Sequence, residues 1–218
     1  MKTSPIILEL PLFVVGLATV VTIVSFRNKY PLALRKLSLL WVLNFLVDLA
    51  GHITRYYHIK NHWLYNCYFF IQFLVLAYLY DGQISNPFIH RCIRLFYVFF
   101  PLLVLTESII YGILDLQVIS YVCGGVFMIF LAAGYFRQLY LSEETGSITR
   151  DPWFWFSCGF FVHFGVTMPF FGMLNYFNAH YPGFAGKYYF YVSNPSTMVL
   201  NLLIIAGYLC RGINKKSH

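Results

Sequence analysis

The sequence predicts an all-α integral membrane protein: seven transmembrane helices in one bundle, N-terminus outside and C-terminus cytoplasmic. Three observations predict it. Of the 218 residues, 59% are hydrophobic and only 11% charged, where a soluble domain carries about 25% charged residues. Seven apolar runs of bilayer-crossing length, about 20 residues each, follow one another with short connections. Finally, lysine and arginine fall on alternate connections, eleven of fifteen on one side, and the richer side faces the cytoplasm.

The first run, 5–26, lies in "MKTSPIILELPLFVVGLATVVTIVSF". A single lysine precedes it, Glu9 and Pro11 interrupt it, and no small-residue cleavage pattern follows, so a retained helix is expected and not a cleaved leader. The second, third, fourth and fifth runs are 37–57, 62–82, 91–114 and 117–140. The sixth, 153–177, begins after Asp151-Pro152, an N-cap with proline at the first helical position. A turn-rich loop, "NAHYPGFAGK", leads to the seventh, 188–210. Residues 1–218 are expected to form one transmembrane domain, with no soluble tail and no low-complexity segment. An aromatic content of 21% suits such a bundle, with Trp and Tyr at the interfaces.

The net charge of +7 comes from short loops between apolar runs, so topology explains it better than a nucleic-acid surface. Arg27, Lys29, Arg35, Lys36, Arg91, Arg94, Arg137, Arg150, Arg211, Lys215 and Lys216 fall on one side. Only Lys2, Arg55, Lys60 and Lys187 fall on the other. A multi-pass protein of the inner membrane, with lipids as its first partners and no nucleic acid, is the expectation. Cys67, Cys92, Cys123, Cys158 and Cys210 lie in or beside apolar runs at unpaired spacings and read as small hydrophobes.

Within this frame "NFLVDLAGHITRYY" stands out. Asp48, His52 and Arg55 recur at i, i+4 and i+7, one helical face, and Asn44 extends the stripe back one turn. With the second helix running outward, Asp48 falls just beyond the midplane, with His52 about 6 Å and Arg55 about 10 Å further out. The same threading puts Glu9, His62, Asn66, Glu107, Asn175, Tyr188, Tyr189, Ser193 and Asn194 in the outer half, with His163 near the middle. The inner halves, such as "FLVLAYLY" and "LIIAGYL", are plain. A polar pocket open to the extracytoplasmic side follows, with Asp48, His52, Arg55, Asn66, Glu107, His163 and Asn194 as its candidate ligand contacts. Pro169 with Gly172 in the sixth run and Pro195 in the seventh are placed to open their helices at this level. The plainer alternative is that these polar groups only hold helices together.

Several chemistries can be weighed. A retinal Schiff base needs a lysine inside the last helix, and Lys187 sits only at its lip. Zinc would have Asp48, His52 and His163 as weak ligands, but no HExxH pattern supports it, so no cofactor is expected. A haem would need two histidines at one level, and His52 and His163 differ in depth. Acid–base chemistry by Asp48, His52, His163 and Glu107 would suit a lipid hydrolase. A transporter needs a through-path, which the apolar inner halves oppose in a monomer.

The segment "DPWFWFSCGFFVHFGVTMPFFGMLNYF", with "LVDLAGHITRYY" and "NHWLYNCYFFIQF", resembles small bacterial seven-helix membrane proteins, and these are similar to the membrane sensor regions of signalling proteins. The resemblance implies a sensor of a small or lipid-like ligand that passes its signal to a separate partner, or acts as a homodimer. It implies no catalytic residues.

Overall fold

In the computed structural model the described residues are 5–27, 30–142, 147–181, 183–184 and 189–214. They form α-helices joined by turns, with no strand among them. The helices are α1 (Pro5–Arg27), α2 (Leu32–Tyr56), α3 (His62–Asp81), α4 (Pro87–Tyr111), α5 (Val118–Leu141), α6 (Pro152–Gly172), α7 (Leu174–His180) and α8 (Asn194–Asn214). A 3₁₀ turn, Ile148–Arg150, precedes α6, and a wide π turn, Tyr189–Ser193, precedes α8. Among the described residues six helical stretches are long and apolar enough to cross a membrane: those of α2 to α6 and Tyr191–Cys210. In α1 the apolar stretch is Leu10–Val24. Lys2, Lys29, Lys187, Tyr188, Lys215 and Lys216 lie outside the described residues.

The helix ends follow local chemistry. Asp151 Oδ1 accepts the Trp153 N–H at 3.0 Å with Pro152 at the first position, as the sequence predicts. Asn86 does the same for α4, accepting the Phe88 N–H at 2.9 Å ahead of Pro87. At the end of α2, the His58 N–H bonds Arg55 O at 3.1 Å and the Ile59 N–H bonds Thr54 O at 2.9 Å. His58 takes the left-handed conformation (φ 57°) that this closing motif requires.

Several boundaries differ from the expected runs. α2 begins at Leu32, after Pro31, and α4 at Pro87. Arg35, Lys36, Arg91 and Arg94 therefore sit within the first eight residues of their helices rather than in loops, where long side chains can extend toward the helix end. The expected sixth run divides at Met173 into α6 and the short α7, so Asn175 belongs to α7. Pro195 is the second residue of α8, where its missing N–H leaves no gap in the helix ladder. It therefore does not kink the helix; the widened turn just before it is the irregular element.

α1 packs against α2 and α8, α6 against α5 and α8, and α3 against α2, α4 and α5. α4 turns Leu95, Val98, Phe99, Leu102, Leu105 and Ile109 outward, the composition of a lipid-facing surface. Glycines allow close crossings: a Cβ on Gly207 would lie 2.3 Å from the Phe156 ring, and one on Gly124 would lie 2.5 Å from Phe73. At one end the bundle is stitched by buried hydroxyls. Tyr208 donates to Leu34 O at 2.7 Å and pairs with Ser38 Oγ at 3.0 Å; Tyr80 pairs with Ser157 Oγ at 2.9 Å. These bonds satisfy polar groups that lipid cannot.

Candidate functional site

Toward the opposite end α2, α3, α5, α6 and α8 diverge around a cavity of about 350 Å³. Its deep end is set by Trp41 and Asn201. The buried indole N–H donates to Asn201 Oδ1 at 2.9 Å, and Asn201 Nδ2 donates to Thr197 O at 2.8 Å. From Trp41 to Arg55 the lining climbs α2 through Asn44 and Asp48, about 20 Å of helix. Arg55 and His62, both exposed, mark the end nearest the α2–α3 turn.

α3 supplies Tyr65, Tyr68, Phe69 and Gln72, one face of a helix that enters beside Asn61. Asn61 does not cap α3; its amide reaches back to Gly51 O at 3.1 Å and Thr54 Oγ1 at 3.0 Å, tying the two helices together. Gly51 makes that approach possible, because a Cβ there would lie 2.1 Å from the Tyr65 hydroxyl. On α6, His163 and Thr167 line the cavity with Phe170 and Phe171. Thr167 Oγ1 donates to His163 O at 2.8 Å and meets the Tyr121 hydroxyl at 2.9 Å. The π turn and α8 add Ser193, Thr197 and Leu200.

The Asp48 carboxylate forms no hydrogen bond or ion pair among the described residues, and it lies on the wall of this cavity. Ser193 Oγ, buried, also has no hydrogen-bond partner among the described residues. Polar groups of this kind in a membrane interior are costly unless something matches them.

Of the seven candidate contacts read from the sequence, Asp48, Arg55 and His163 line the cavity. The other four do not, and two of them have structural work elsewhere. Glu107, buried, accepts the Ile119 N–H at 2.9 Å on Oε1 and the Ser120 N–H at 2.7 Å on Oε2, with the Ser120 hydroxyl at 2.5 Å. It thereby caps the first turn of α5, which opens with no capping side chain of its own. Asn66 donates to Ile113 O at 3.2 Å and Asp115 O at 2.8 Å and accepts the Gln117 N–H at 3.1 Å, clamping the α4–α5 loop. His52 and Asn194 are half-buried beyond the cavity wall. The expected set of contacts is thereby reduced to Asp48, Arg55 and His163.

Sequence reasoning overlooked Gln72, Tyr68 and Asn201, uncharged residues in plain helices. The amides, glutamine and asparagine in the middle of apolar runs, carried a usable signal: each needs a partner at depth. Asp48 and His163 do not form an acid–base pair; His163 Nδ1 faces Ser196 Oγ at 3.3 Å instead. No group of three or more His, Cys, Asp or Glu among the described residues could hold a metal ion. No protein family, curated protein or solved structure matches this chain.

Proposed function

We propose that this chain is a seven-span protein of the inner membrane, N-terminus outside, whose cavity binds a small or lipid-like ligand from the extracytoplasmic side. The observation that carries this reading is the cavity of about 350 Å³ with an unpartnered Asp48 on its wall. That size lies within the range of ligand pockets, about 300–1,000 Å³. The lysine and arginine distribution supports the orientation, since it turns the α2–α3 end of the cavity outward. The bonds of Tyr208 and Asn201 tie the helices below it, which suits a receptor better than a through-path. Occupancy would be handed to a separate signalling partner or to a second copy of the chain. A hydrolase reading has less support, because Asp48 and His163 are not hydrogen-bonded to each other.

The test is recovery of bound material. Wild type and Asn44→Trp, which fills the cavity, are purified from membranes in parallel and extracted with organic solvent. Mass spectrometry is expected to find a species enriched with wild type and absent from the filled variant. Identical extracts from two folded proteins would end the proposal.

A further inference from the structure

We infer that the cavity selects an organic cation, its ammonium group seated against the Asp48 carboxylate and an aromatic wall. This rests on the reading of the cavity as a ligand site, and it names the chemistry of what enters. Among the described residues Asp48 has no countercharge: the ion pair present there is His90 with Asp81, elsewhere in the bundle. Arg55, the nearest lysine or arginine along the lining, is two turns further on, about 10 Å of helix, and exposed to solvent that damps its field.

The walls suit a cation as well. Tyr68, Phe69, Tyr121 and Phe171 form one continuous set of rings on α3, α5 and α6. The centroids are 5.9 Å apart for Tyr68 and Phe69, 4.8 Å for Phe69 and Tyr121, and 4.6 Å for Tyr121 and Phe171. Aromatic faces carry negative potential, so they attract an ammonium group while accommodating its hydrocarbon portion. An anion would be repelled by the Asp48 carboxylate, and a neutral ligand would leave it unmatched. A metal ion is a poorer match, since it requires several converging ligands and no three of the described His, Cys, Asp or Glu converge on one point.

The experiment follows thermal unfolding of the full chain in a nonionic detergent with octylamine, octanol and octanoate, three probes of equal length. Octylamine is expected to raise the midpoint saturably in wild type, and to need at least about thirtyfold more probe in Asp48→Asn, the effect of losing one desolvated charge pair. Without probe, Asp48→Asn is expected to melt no lower than wild type, since the amide removes an uncompensated charge. An equal octylamine response in Asp48→Asn would overturn the inference, as would octanol or octanoate acting as strongly as the amine. If such an octanol or octanoate response disappears in Asn44→Trp, the ligand site stands and only its cation preference falls. If no probe acts saturably on wild type, both fall. Should Asp48→Asn fail to fold, the wild-type preference for octylamine over octanol decides, a ratio below about ten overturning the inference.

Discussion

Trp41 and Asn201 close the deep end of the cavity with one hydrogen bond, indole N–H to amide oxygen, 2.9 Å long and buried. A donor left unmatched at this depth keeps its full desolvation cost, whereas removing both partners together is nearly neutral. Asn201→Leu is expected to destabilise the bundle by about 1–3 kcal/mol, and Trp41→Phe with Asn201→Leu to cost less than the two single changes combined. Unfolding midpoints of the four proteins in detergent measure this cycle. Strict additivity would mean that the bond contributes nothing.

Glu107 is a fold residue on this structure, and its substitution separates that role from ligand binding. Glu107→Gln is expected to cost about 1–3 kcal/mol, because one oxygen cannot serve both the Ile119 and Ser120 amides of α5. Stabilisation by octylamine is expected to survive in the variant. Loss of that response at full folding would place Glu107 in the site after all.

Gly51 faces the Tyr65 hydroxyl too closely to tolerate a methyl group. Gly51→Ala is expected to destabilise by about 1–3 kcal/mol, as overpacking of a fitted contact does. Tyr65→Leu in the same chain should relieve much of that loss, since the clashing atoms belong to the Tyr65 ring end. The unfolding midpoints of the single and double variants check it, and an unaffected Gly51→Ala would show that α2 and α3 separate freely.

The proposed orientation puts Lys60 outside and Ser142 in the cytoplasm, and both residues are exposed. With Cys67, Cys92, Cys123, Cys158 and Cys210 replaced, Lys60→Cys is expected to react with a membrane-impermeant thiol reagent in intact cells. Ser142→Cys is expected to react only after permeabilisation. The opposite pattern would invert the topology and turn the cavity toward the cytoplasm.

The sequence by itself determined the all-helical class and the helices apolar enough to cross a membrane, because the length of apolar runs and the scarcity of charge are local properties. The α6 start at Asp151 and Pro152 was legible for the same reason. So was most of the α2 stripe: Asn44, Asp48 and Arg55 all line the cavity. His52 leaves the stripe because each step of four residues turns about 40° past a full rotation, and two steps from Asn44 carry it to the edge. Only the tertiary structure decided which polar residues at one depth converge. Depth follows from position along a helix, but convergence depends on how each helix is rotated and which neighbour it meets. Glu107 shared the level of the cavity yet was captured by the uncapped start of α5, and Asn66 by the loop before it. Gln72 and Asn201 reached the cavity from helices that carry little charge to announce them.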